Sequence, residues 1–238
     1  MLLSTLFVVL LACVHVFANK ITLLHTLSKS KWISLAGGIS IAFVFVHILP
    51  EIHNMQITVK EKEEVSIFIE RYLYIVALAG VMIFYGLERM MIHFRTNITS
   101  GKIKSVEDSI FWWHICIFAT FNLLIGYYIH HEEKSEIGTL LTYIAIGFHF
   151  LINDYSLLQH HEKNYRQIGR WIMAGAVVAG WFLGILYTIP DITSYALFSF
   201  VAGAIVVNSF KEELPEDKEN NFVWFLAGAT VYTVLLLI

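Results

Sequence analysis

The chain has 238 residues, of which 57% are hydrophobic and only 15% charged, and its formal net charge is -3. A mean hydropathy of +0.66 is far above that of a domain with a polar surface, so its main solvent is lipid, and the small net charge excludes nucleic acid as a partner. The two cysteines, Cys13 and Cys116, fall in apolar runs and read as buried free thiols, not as a disulfide.

A helical crossing needs roughly 20 apolar residues. Such runs fall at 2–18, 32–52, 67–93, 110–130, 137–159, 167–189, 192–210 and 222–238. They predict an all-α integral membrane protein, a single domain over 1–238 with eight transmembrane helices. Backbone polar groups in hydrocarbon must be satisfied within each span, and the alternation of lipid-facing barrel strands is absent. The first run ends in Val16-Phe17-Ala18, which is like a cleavage site, but it has no basic n-region and is kept as a span. Short polar connections at 60–64, 95–105, 130–136 and 211–221 leave no room for a second domain. With the N-terminus outside, only Lys60, Lys62, Arg71 and Lys134 of the 16 basic residues face outward. The positive-inside rule therefore predicts a multi-pass cell-membrane protein with both ends outside.

Taken in chain order, the second run carries Ser40, His47 and Glu51 at i, i+7 and i+11, a polar face leading from mid-membrane to the outer surface like an entrance wall. In the fourth, His114 and Asn122 share a helical face. The fifth holds the longest polar stripe, His149, Asn153, Ser156 and His160, with Asp154 about 100° further round. An imidazole with one or two oxygens suits a borderline divalent ion, and ionisable residues at membrane depth are costly enough to be functional candidates. An interhelical hydrogen-bond cluster is the alternative. Asn208 and Glu212 sit four apart near the inner mouth of the seventh run. The clusters His130-His131-Glu132-Glu133 and His160-His161-Glu162 are candidates for weak surface metal binding or solvated flanks. Phosphate-loop, nucleophile-elbow, HExxH and haem-attachment motifs are all missing. The expectation is a protein that is not an enzyme and carries no organic cofactor.

Two runs repeat one another. Gly38, Phe45, Leu49, Pro50 and Glu51 align without gaps with Gly203, Phe210, Leu214, Pro215 and Glu216. An even-numbered and an odd-numbered span point in opposite directions, so the pair implies an inverted repeat about an axis in the membrane plane, a transporter architecture. The competing reading is that Leu-Pro-Glu merely ends a helix at the interface, because proline halts it.

The segments LAGGISIAFVFVHILPE and FVAGAIVVNSFKEELPE, together with FYGLERM bearing Glu88, resemble the second, seventh and third spans of the ZIP family of divalent-metal transporters. The resemblance implies a 3+2+3 inverted-repeat bundle. Where that family has His-Asn-x-x-Asp-Gly, this chain reads Phe121-Asn122-Leu123-Leu124-Ile125-Gly126. Where the family has His-Glu-x-Pro-His-Glu, it reads His149-Phe150-Leu151-Ile152-Asn153-Asp154. Carried over by position, the metal ligands are His149, Asn153, Asp154 and Asn122, with Phe121, Ile125 and Phe150 as apolar replacements. The resemblance implies a secondary transporter of divalent metal cations (zinc first, then iron or manganese) with a degraded metal site. Its partners are the lipid bilayer, the cation and, as an open question, a second copy in a homodimer. The alternative is a non-transporting ZIP-like scaffold or sensor with a hydrogen-bonded polar plug.

Overall fold

The computed structural model describes residues 2–21, 29–62, 71–96, 103–131, 136–213 and 221–237. Among them nearly every residue is helical and no strand occurs. Helix α1 spans Leu2–Ile21; α2 runs from Lys29–Phe43 through a π-helical turn, Val44–Ile48, into Leu49–Lys62. Then come α3, Tyr72–Thr96, and α4, Ile103–His131. Helix α5, Glu136–Asn164, bends at His161 and passes through a second π-helical turn, Tyr165–Gly169, into α6, Arg170–Leu186. Helices α7, Asp191–Glu213, and α8, Phe222–Leu236, complete the bundle.

Proline does not end α2. The expectation that Leu-Pro-Glu closes the second span is corrected, since the helix continues to Lys62. Pro50 has no N–H to donate, and the backbone accommodates it by re-registering: the Leu49 N–H bonds to the Val44 carbonyl, a five-residue step. The extension then packs on the start of α3. Gln56 Oε1 accepts the Leu73 N–H at 2.8 Å, and His53 Nδ1 lies 2.8 Å from the Tyr74 hydroxyl.

Polar contacts sort the helix ends into two groups. At one end, Thr142 of α5 reaches His47 of α2, the Tyr128 hydroxyl of α4 donates to the Ser194 carbonyl of α7, and the Tyr127 hydroxyl accepts the Ile189 N–H beyond α6. At the other end, Arg170 of α6 donates to the Val16 carbonyl of α1, His114 of α4 meets His161, and the Asn221 N–H before α8 donates to Ser34 of α2. Successive helices therefore alternate in direction.

Three helix pairs close on glycine. A β-carbon on Gly38 would overlap the Phe225 carbonyl of α8, and one on Gly228 would overlap the Leu35 carbonyl of α2. The α3–α7 pair repeats this contact, with Gly203 against Ala77 and Gly80 against Phe200. The α4–α6 pair repeats it again, with Gly126 against Val177 and Gly180 against Leu123. Each glycine meets the carbonyl three residues before the other glycine, the close backbone approach that small residues permit between membrane helices. Leu35 stands to Gly38 as Phe200 stands to Gly203, so the aligned segments use equivalent contacts. Phe45 and Phe210, another aligned pair, pack edge to face with centroids 6.1 Å apart; contact between equivalent positions is what a two-fold axis passing between them produces.

Three helical stretches, Ser34–Glu61, Phe111–His130 and His161–Leu186, are long and apolar enough to cross a membrane. Ser4–Ala18, Tyr72–Gly86, Asp191–Val207 and Phe222–Leu236 are shorter apolar helices. Helix α5 belongs to neither group, its hydropathy lowered by His149, Asn153, Asp154 and Ser156. Leu6, Leu78, Met82, Phe182, Leu186 and Val231 are each more than half exposed, an apolar surface far more extensive than a water-facing bundle shows. Cys13 and Cys116 are free, as expected, but both are exposed on this outer surface and not buried; an apolar-facing thiol satisfies the same composition.

Candidate functional site

His149 and Asn153 of the α5 stripe face the middle of the bundle. His149 and Asn153, one turn apart, line a small cavity with Asn122 of α4, and Phe84, Phe118, Phe121, Ile125, Ala204 and Ile205 close it. Its free volume is about 10 Å³, about enough for one water-sized guest. His149, Asn153 and Asn122 are all at most 5% exposed. Three of the four residues assigned to a metal site thus share one cavity.

Asp154 does not share it. One step along α5, it faces α1, where both carboxylate oxygens lie 2.9 Å from His15 Nδ1. The Tyr165 hydroxyl also donates to Asp154. In a straight helix, residues 154 and 165 would lie about 16 Å apart along the axis; the bend at His161 (φ -141°, ψ 41°) folds the chain back to join them. A proton on His15 Nδ1, donated to the carboxylate, leaves Nε2 as an acceptor. Asn122 Nδ2 meets it at 3.0 Å and reaches Met173 Sδ at 3.8 Å. With its amide protons directed there, Asn122 keeps Oδ1 as the polar atom available to the cavity. His15 and Asp154 are both at most 1% exposed, and a carboxyl so deeply buried needs the hydrogen-bond partners that His15 and Tyr165 supply. Phe150, which stands at a ligand position of the resembling motif, is fully buried and packs on the His15 ring at 4.5 Å.

A larger chamber of about 270 Å³ lies toward the other end of the bundle. His47 and Glu51 of α2 line it, together with Thr142, Tyr128 and Tyr195, whereas Ser40 of the same proposed wall does not. Ile125 and Ile205 belong to both cavities, so two branched apolar side chains separate the chamber from the polar centre. Ile125 stands where the family pattern places a carboxylate.

The remaining assignments scatter. Ser40 is fully buried and its hydroxyl lies 3.2 Å from Ser209 of α7, a bridge between the two aligned helices. His114 pairs with His161 at 3.0 Å, away from Asn122. The side chains of Asn208, Glu212, Glu88 and His160 lie outside the described residues. His15, Tyr165 and Met173 were not singled out in sequence. His15 lies in an apolar run with Asn19 one turn on at i+4; its depth in the first span was the available signal.

Among the described residues, no three His, Cys, Asp or Glu side chains converge as a metal site would require. The cavity instead offers one imidazole and two amides. Compared with family models, with curated proteins and with solved structures, the chain matches none.

Proposed function

We propose that this protein is a ZIP-like secondary transporter of divalent metal cations, embedded in the cell membrane by eight helices with both ends outside. The observation that carries this reading is the sequence of spaces along one line: a chamber with His47 and Glu51, an apolar wall of Ile125 and Ile205, and a polar pocket of Asn122, His149 and Asn153. Wet vestibule, closed constriction and central site are the parts of a gated route. The alternating helix directions and the equivalent contacts of α2–α8 and α7–α3 support an inverted-repeat bundle. The cargo is a borderline ion such as zinc, ferrous iron or manganese, held by the His149 imidazole and amide oxygens, with water completing its shell. Asp154 acts behind this site, orienting Asn122 through His15, as carboxylates commonly act behind metal-ligating groups.

A second reading, a scaffold or sensor that moves nothing, is favoured by one observation: apolar side chains at 121, 125 and 150 and an Asp154 already saturated by His15 and Tyr165. Uptake of zinc, ferrous iron and manganese into proteoliposomes separates the two. Saturable uptake lost in His149→Ala supports transport, and no uptake of any of the three by folded wild type overturns it.

A further inference from the structure

We propose a second divalent-cation site, distinct from the central cavity, formed by His114 and His161 at the end of the bundle opposite the chamber. Their nitrogens, Nδ1 of His114 and Nε2 of His161, face one another at 3.0 Å, with the rings inclined at 61°. The two residues come from different elements, α4 and the elbow between α5 and α6. His161 is the one residue in Glu136–Asn164 whose backbone leaves the helical region, and that departure places its ring in the pair. Aromatic packing holds both rings: Phe111 lies edge-on to His161 at 5.6 Å, and Phe118 lies against His114 at 6.3 Å.

At 3.0 Å the two nitrogens stand at hydrogen-bond distance, one imidazole donating to the other, and a metal would take the place of that shared proton. Two imidazoles bound to one tetrahedral zinc, with arms of 2.0–2.1 Å, hold their nitrogens about 3.3 Å apart. Opening the pair by a few tenths of an ångström admits the ion between them. Nitrogen ligands select zinc-class cations over magnesium or calcium. Glu162, adjacent to His161, is two-thirds exposed and bonded to Arg166 at 2.9 Å, so it is engaged elsewhere. Two imidazoles fall short of the four protein ligands of a structural zinc site. Phe118, which lines the central cavity, also packs its ring near His114, so one side chain lies between the cavity and the pair. The inference rests on the pair's own geometry and stands whether or not the chain transports.

Cobalt binding to the purified full-length protein in nanodiscs tests it, read by the visible absorption of Co²⁺ and by zinc competition. His114→Gln and His161→Gln are each expected to weaken the cobalt equivalent held by the pair at least tenfold, without changing the one assigned to the central cavity. Retention of that equivalent in either variant overturns the pair as its holder. His161→Cys guards against a mere loss of folding at the elbow: it supplies a thiolate, and the expected result is retained cobalt with a new sulfur-to-metal charge-transfer band. Absence of both contradicts the site.

Discussion

The two spaces on either side of Ile125 and Ile205 differ in size and in how closely polar groups gather in them. The chamber is roomy, about 270 Å³, and its polar side chains, His47, Glu51, Tyr128, Thr142 and Tyr195, come from four helices. The inner pocket has room for one small guest, and three polar side chains from two helices converge on it. Behind that pocket, and not beside the chamber, lies a buried carboxylate bound to a histidine, Asp154 with His15. Positioning chemistry is concentrated where access is least. On the proposed function, such a route works only if the apolar wall opens, with the wall governing access and the pocket selection.

Four changes break or sharpen that contrast. His149→Ala removes the only imidazole in the pocket and is expected to lower zinc uptake on the order of 100-fold, measured as initial flux into proteoliposomes. Asp154→Ala leaves His15 and Tyr165 without their shared acceptor. It is expected to destabilise the protein by about 3 kcal/mol, seen as a lower unfolding temperature in detergent, with loss of uptake following from it. Ile125→Ala thins the wall without touching a polar group and is expected to raise the rate of zinc entry several-fold, read by a fluorescent indicator trapped in the vesicles. At the chamber, Glu51→Gln removes one charge from a half-buried wall; its effect is a KM raised about twofold with kcat unchanged, as for an exposed electrostatic contribution of under 1 kcal/mol.

Much of the membrane character was legible in sequence, because twenty-residue apolar runs separated by short charged links have few other interpretations. Helix α2 shows where legibility stopped. A proline followed by glutamate reads as a stop, and only the π-helical turn over Val44–Ile48 reveals that the backbone absorbs the missing donor and continues. The α5 stripe put His149 and Asn153 on one face, and Asp154, assigned as a ligand beside them, faces α1 instead. Which partner each face meets is a tertiary fact: Asp154 met a histidine 139 residues earlier in the chain, a pairing no local spacing encodes. Gly38 and Gly203 were visible as a repeat, but their partners Gly228 and Gly80 emerged only from the packed helices.

The most direct test of the central claim is water access to the pocket past the apolar wall. In a protein lacking Cys13 and Cys116, His149→Cys is treated from the outer side with a membrane-impermeant thiol reagent, with and without Ile125→Ala. The account predicts slow labelling with Ile125 in place and labelling faster by an order of magnitude or more once it is alanine. Equal rates in the two backgrounds would contradict it, since Ile125 would then not stand between the chamber and His149.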